Sequence, residues 1–237
     1  MPQRVLIFGA NGAIGHALCK QFLAGNWLVT GMVRDKTKIN STQHKNYQGL
    51  TDDLMAEGGE AEFLGGEKFN AIIWAQGLNH SDNILNVKID VHLKIYEANV
   101  LYIIKTLNHL LNHNLIENNS RLTIISSIWQ NIGRANKLSY MTTKSALKGL
   151  IQSLVIDLGN RGILVNAILP GPINSEMTRQ NLTDLQIKKI KAMTPLLSLA
   201  ELSEVIELAF FLSSENNSGI TGQFIAADRG LSYVKSI

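Results

Sequence analysis

The chain opens with a strand, a glycine turn and a helix in immediate succession, and no other feature narrows its possible folds as far. Arg4-Val-Leu-Ile-Phe8 is a short apolar run of strand type, and Gly9-Ala-Asn-Gly-Ala-Ile-Gly15 follows it directly. Ala17-Leu-Cys-Lys-Gln-Phe-Leu-Ala24 then shows helical periodicity and meets the stop signal Gly25-Asn26. A glycine-rich turn in this setting predicts a dinucleotide site. Gly9, Gly12 and Gly15 let the backbone turn sharply and approach a pyrophosphate, with Asn11, Ala13 and Ile14 completing the turn. The helix start then offers unsatisfied N–H groups and the positive end of the helix dipole. The competing reading is that the glycines serve only a tight βα turn.

The rest of the chain repeats the alternation. Strands are predicted at 5–8, 27–33, 71–75, 121–126, 164–168 and 223–226, with a weaker signal near 46–50. Helices are predicted at 14–24, 51–63, 91–112, 139–160 and 202–213. Apolar strands separated by helices imply a parallel sheet covered on both faces. Right-handed crossovers then give an α/β, doubly wound parallel sheet, the Rossmann fold. Residues 1–237 read as a single domain, since no linker, repeat or low-complexity segment interrupts them.

A second chemical signal lies far from the first. Ser127, Tyr140 and Lys144 stand at relative spacings 0, 13 and 17. In a helix, Tyr140 and Lys144 share one face, a turn apart. A phenol ordinarily titrates too high for acid–base work at neutral pH, and a neighbouring ammonium is expected to lower it. A lone Tyr-x-x-x-Lys is weak evidence, equally readable as a surface Tyr on a Lys stem. The matched Ser makes it a motif.

Together these motifs resemble the short-chain dehydrogenase/reductase family, in its single-domain form, over essentially the whole chain. The likeness also covers Asn99 in Glu97-Ala-Asn-Val100, Asn166-Ala-Ile-Leu-Pro-Gly171, Thr221-Gly-Gln223 and Ala227-Asp-Arg-Gly230. Departures are visible. Phe8 stands where the family usually has Thr, and the second glycine falls at Gly12 rather than Ala13. The family's Asn-Asn-Ala-Gly reads Trp74-Ala-Gln-Gly77, and its Asp-Gly-Gly reads Asp228-Arg-Gly230. The resemblance implies hydride transfer between a nicotinamide cofactor and a carbonyl or alcohol. In that scheme Ser127 donates a hydrogen bond to the carbonyl oxygen, Tyr140 supplies the proton, and Lys144 holds the nicotinamide ribose. Asn99 resembles the residue that holds a water in the proton relay, against the plainer reading of a helix-interior amide. Ser126 is expected to point to the opposite side of its strand. Ala75, Gln76, Gly77, Pro170, Gly171, Ile173 and Ser175, with Tyr140 and Lys144, are the further positions expected at the cofactor. Gly-Leu-Asn-His-Ser-Asp-Asn-Ile-Leu at 77–85 is similar to the corresponding loop of 3-oxoacyl-[acyl-carrier-protein] reductases.

Cofactor choice turns on the end of the second strand. Val33 occupies the usual acidic position and Arg34 comes next, with Lys36 and Lys38 nearby. Positive charge there favours the 2′-phosphate, so NADP(H) is expected over NAD(H). The alternative is that Arg34 is an ordinary solvated residue.

Composition removes other classes. Net charge is only +3 and scattered, which does not argue for nucleic acid. No apolar stretch is long enough to span a bilayer. The single cysteine, Cys19, reads as a core thiol and fits a reducing, cytoplasmic setting. His109 and His113 have helical i, i+4 spacing but lack an evident third ligand, so no metal is expected. Residues 172–200, with Met177, Leu182, Met193, Leu196 and Leu197, read as an apolar lid. The long helices resemble those that pair between family subunits, implying a homodimer or homotetramer. Two other classes remain open from sequence: a dinucleotide-binding regulator without turnover, and a lyase or epimerase that retains its cofactor.

Overall fold

The computed structural model describes residues 2–33, 44–51 and 68–233. β1 (Arg4–Phe8), β2 (Leu28–Val33), β3 (Tyr47–Thr51), β4 (Phe69–Trp74), β5 (Ile116–Ile125), β6 (Leu164–Pro170) and β7 (Phe224–Ala227) form one seven-stranded parallel sheet. Its order is β3-β2-β1-β4-β5-β6-β7. The chain therefore winds outward from β1 in one direction, then returns to β4 on the other side. The crevice at that reversal, beyond the strands' carboxyl ends, is where ligands bind in open α/β sheets.

The central strands β1 and β4 are apolar on both faces because helices cover both. In β1, Val5 and Ile7 join a core built with Leu18, Phe22 and Leu23 of α1 (Ala13–Ala24) and with Val205, Ile206, Ala209 and Leu212 from the helix near the C-terminus. Leu6 and Phe8 face the other way. They meet Val100, Ile103, Leu107 and Leu110 together with Leu147, Ile151 and Leu154. Burying each such side chain contributes about 1.5–3 kcal/mol, so a strand with two filled faces is held strongly even when it is only five residues long.

The predicted helix over 91–112 is interrupted. α2 (Ile89–Tyr96) passes through a π-helical turn (Glu97–Leu101) into α3 (Tyr102–Asn112). Such turns collect at functional sites, and this one carries Asn99. After α4 (Leu138–Leu158), residues 172–200 contain two short helices, α5 (Glu176–Asn181) and α6 (Asp184–Met193), before α7 (Leu202–Ser213). The weak third strand is present as β3, while the helix predicted over 51–63 lies almost wholly outside the described residues.

Two departures from the family pattern turn out to be neighbours. Phe8 and Trp74 are register partners on β1 and β4. Their rings stack with centroids 5.7 Å apart and planes 9° from parallel. Tyr102 closes the group edge-on to Phe8 at 5.7 Å. The Trp74 indole N–H donates to Thr106 Oγ1 at 2.9 Å, so its polar atom is satisfied inside the core.

Candidate active site

The glycine turn leaves the carboxyl end of β1 and is set by backbone contacts. Gly9 N and Ala10 N both donate to Met32 O, at 3.0 and 3.1 Å, which pins the turn to β2. Gly9 has φ +77°, and a Cβ there would stand 2.7 Å from Gln76 N. A Cβ on Gly15 would lie 2.1 Å from Gly9 O, so the helix starts directly against the turn. Gly12 caps α1 without a side chain, and the first turn carries no acidic residue. Nothing from the protein competes with an anion at that helix start.

A cleft of about 260 Å³ opens over this turn. Gly9, Asn11, Gly12, Ala13 and Ile14 form one wall, Ala75, Gln76 and Gly77 a second, and Ile173 and Ser175 a third. Met32, Tyr102 and Leu202 also line it and carried no distinguishing sequence signal. Neither polar atom of the Gln76 side chain has a hydrogen-bond partner. A backbone cradle with an uncapped helix start and an orphaned amide beside it fits the phosphates and polar edges of a dinucleotide. Pro170 and Gly171 stand one step back. Pro170 pairs with Ala227, and Gly171 packs against Asp228 while its N–H donates to Ala227 O at 3.0 Å. They position the next residues rather than line the cleft. Ser175 Oγ accepts from Thr178 N, capping α5. Arg34 lies outside the described residues.

Gly77 joins this cleft to a cluster of buried polar side chains. A Cβ on Gly77 would be 3.1 Å from Asn99 Oδ1 and 3.8 Å from Lys144 Nζ. Ser127 ends the β5 connection in an extended conformation, and its side chain lies close enough to Tyr140 to act on the phenol's titration. Lys144 sits a turn below Tyr140 on α4, with Nζ 5.7 Å from the phenol ring centre and donating to Ile125 O at 3.0 Å. Ser126 turns away and donates to Gln130 Oε1 at 2.7 Å, as strand alternation requires. The three motif residues are thus gathered at the carboxyl edge of the sheet, beside the glycine turn.

The electrostatics differ from the sequence expectation in one respect. The Tyr140 phenol stands above its ordinary value because burial penalises the phenolate, outweighing the Ser127 hydrogen bond and the positive charge of Arg134. Burial pushes the Lys144 ammonium down to about 8. Tyr140 therefore stays protonated at neutral pH, the state in which it can give a proton.

Asn99 is buried in the π-helical turn. Its Oδ1 accepts from Leu78 N at 2.7 Å, and its Nδ2 donates to Leu78 O and to Thr143 Oγ1, both at 2.9 Å. The side chain ties the loop after β4 to α4.

A second tie holds the start of α4. Asp82 is buried, and Ser139 N donates to its Oδ1 at 3.0 Å while the Ser139 hydroxyl donates to its Oδ2. Leu138 N donates to Asp82 O at 3.1 Å. His92 Nδ1 sits 2.9 Å from the Ser139 hydroxyl. Burial alone would raise the Asp82 carboxyl, but the Ser139 hydrogen bonds, with His80 and His92 near, bring it below its ordinary value. Lys137 extends the clamp by donating to Asn79 Oδ1, His80 O and Ser81 Oγ. Residue 82 precedes Tyr140 by 58 positions, and no sequence pattern announces the pairing.

The paired histidines stack, with ring centroids 4.1 Å apart. Among the described residues no group of three or more His, Cys, Asp or Glu could hold a metal ion. No described helix is long and apolar enough to cross a membrane.

A family model described as enoyl-(acyl carrier protein) reductase matches residues 30–232. The chain is a short-chain dehydrogenase/reductase. It is 31% identical over 169 residues to an L-rhamnose 1-dehydrogenase (NADP(+)) of Thermoplasma acidophilum, covering 69% of this chain and 65% of that protein. It is 26% identical over 245 residues to the 3-oxoacyl-[acyl-carrier-protein] reductase of Salmonella typhimurium, covering 97% of each. The fold matches a short chain dehydrogenase family protein from Francisella tularensis with TM-score 0.89 at 22% identity, over 98% of this chain and 99% of that one. ElxO with NADP bound superposes with TM-score 0.86 at 24% identity, over 98% and 99% of the two chains. Like its family, this chain is an NAD(P)-dependent oxidoreductase acting on carbonyl or alcohol groups.

Proposed function

We propose that the enzyme reduces a ketone with NADPH, Ser127, Tyr140 and Lys144 forming the catalytic group. The observation that carries this reading is the protonated Tyr140 phenol beside Ser127, with the buried Lys144 one turn away on α4 and Nζ 5.7 Å from the phenol ring centre. The cofactor supplies the hydride when bound. Ser127 and Tyr140 hold the carbonyl oxygen between two hydroxyls, and Tyr140 transfers its proton to that oxygen as charge develops. Lys144, anchored by Ile125 O, stands where it can hold ribose hydroxyls and restore charge balance. The glycine turn, Asn11, Ala13 and Ile14 receive the pyrophosphate, and Gln76 offers its amide to the same ligand. The charge at Arg34, Lys36 and Lys38 supports NADP(H) over NAD(H). A 3-oxoacyl thioester is the first substrate to try, by likeness to the Salmonella reductase.

Residues 172–200 are proposed as the lid. Ile173 and Ala200 bridge at its base, so the segment leaves and returns at one point. Leu185, Met193, Leu196 and Leu197 are exposed along it. We read the enzyme as a homodimer or homotetramer in the cytosol. Ile89, Leu93, Leu101, Ile104 and Ile156 leave α2, its π-helical turn, α3 and α4 with exposed apolar side chains. Loss of NADPH absorbance across a ketone panel, repeated with NADH, tests the reading. Cofactor binding without consumption for every ketone would overturn it. Sedimentation at the monomer mass of 26.1 kDa would overturn the assembly.

A further inference from the structure

The reductase reading leaves one charged group at the site without a task. Arg134 lies in the connection from Ser127 to α4 and is half-buried. Its guanidinium carbon is 4.9 Å from the Trp129 ring centre, a cation–π contact that fixes the group in place. Trp129 N in turn donates to Ser127 Oγ at 3.3 Å. On the other side, Arg134 N contacts Met141 Sδ at 3.3 Å, and Met141 follows Tyr140 directly. The backbone of Arg134 is thus held by the residue after Tyr140, and its guanidinium lies on the ring of the residue whose backbone N–H donates to Ser127. Its charge is felt at the Tyr140 phenol.

An arginine withdrawn from water is normally paired. The ion pairs among the described residues are Lys105 with Glu97 and Arg229 with Glu204. Among the described residues Arg134 has neither a carboxylate partner nor a hydrogen bond from its guanidinium. Lys137, the cation near it, spends its donors on Asn79, His80 and Ser81. Asp82, the buried carboxylate of this region, is committed to Ser139. The planar five-donor fork of Arg134 is left for a ligand, and it matches a carboxylate in bidentate fashion.

We propose that Arg134 determines substrate specificity by receiving the carboxylate of an oxo acid whose carbonyl is presented to Ser127 and Tyr140. The substrate class is then a 2-oxo or 3-oxo acid, reduced to the hydroxy acid. The carboxylate is a spectator: the carbonyl carbon gains the hydride, its oxygen gains the Tyr140 proton, and no bond to the carboxylate changes. This assignment rests on the reductase reading but departs from its first candidate, because a thioester presents no carboxylate at that place.

The test is NADPH oxidation with 2-oxo and 3-oxo acids of several chain lengths, each against its neutral methyl ester. Wild type is expected to favour at least one acid over its ester by about 10²-fold in kcat/KM, the scale of a desolvated charge pair. Arg134→Met should erase that ratio, lowering kcat/KM for the acid by about 10²-fold more than for the ester, with NADPH affinity unchanged. Arg134→Lys, which keeps the charge but loses the fork, should restore part of it. A loss merely of folding or of phenol activation would lower acid and ester together. A second readout needs no turnover: quenching of intrinsic fluorescence, to which Trp129 contributes, as each hydroxy acid is added to the NADP-loaded protein. Hydroxy-acid binding that disappears in Arg134→Met without any ketone reduction would keep the Arg134 site and sink the reductase reading. Ester reduction with acids neither reduced nor bound would do the reverse. Wild-type ratios near one at every length, or no acid binding at all, would overturn the assignment.

Discussion

The glycine turn and the catalytic cluster stand at the same edge of one sheet but are made of opposite materials. The turn is backbone: a left-handed Gly9, a Gly15 with no room for a methyl group, and an uncapped helix start. The cluster is side chain: a half-buried phenol raised by its surroundings and a buried ammonium lowered by them. A backbone site is specified by what must be missing, so it fails by steric conflict. A buried polar cluster is specified by what must be present, and it weakens the fold that holds it.

The sharpest break between the two comes from Tyr140→Phe. Reduction should fall by at least about 10³-fold, the upper range for a positioned acid, with NADPH affinity unchanged in a fluorescence titration. Gly15→Ala should do the converse. Its Cβ meets backbone 2.1 Å away, so stability drops by about 3 kcal/mol and cofactor binding is lost with it. Gly12→Ala sharpens the point, because its nearest neighbour is 3.4 Å away. Denaturation should find that variant within about 1 kcal/mol of wild type, while NADPH binding weakens through the approach of the ligand alone.

Lys144→Met tests the cost of the cluster. Reduction is expected to fall by about 10²-fold, the lower range for a group acting in proton transfer, yet the cofactor-free protein should melt higher. The sign follows from proton binding. Lys144 holds its proton less tightly folded, at about 8, than unfolded, at 10.5. The folded state therefore binds fewer protons between those values, and wild-type stability rises with pH across that window. The advantage of the Met variant, about 3 kcal/mol, should be greatest below pH 8 and fade above it. The smallest effect is expected from Asp82→Ala, which loosens the start of α4. A roughly tenfold loss in kcat, with NADPH affinity intact, should be recovered by Asp82→Asn, which keeps an acceptor for Ser139 N.

The same contrast explains what the sequence discloses. The turn is legible because its residues are contiguous and its constraint is local. Ser127, Tyr140 and Lys144 are legible because one helix and one strand end fix their spacing. The sheet follows from apolar strands alternating with helices, and even the weakly signalled β3 pairs with β2. The break in the predicted 91–112 helix is hidden, since Glu-Ala-Asn-Val-Leu has no helix-breaking residue. It is imposed by Asn99 bonding across to Leu78 and Thr143. Asp82 with Ser139, and Arg134 on Trp129, are likewise invisible, because tertiary contacts alone bring them together. The raised Tyr140 value belongs to the same class: spacing reveals the nearby ammonium but not the depth of burial.

The stacked rings at the ends of β1 and β4 carry a practical lesson for grafting. Phe8→Thr alone would open a void beside Trp74 and strand a hydroxyl in it. Trp74→Asn alone would remove the indole donor to Thr106 and set an amide against a bare ring. Each position is tolerable only in the company of the other. A chimaera that borrows either strand end from a relative inherits half of a matched couple, and its damage will surface under the glycine turn, in a residue no one exchanged.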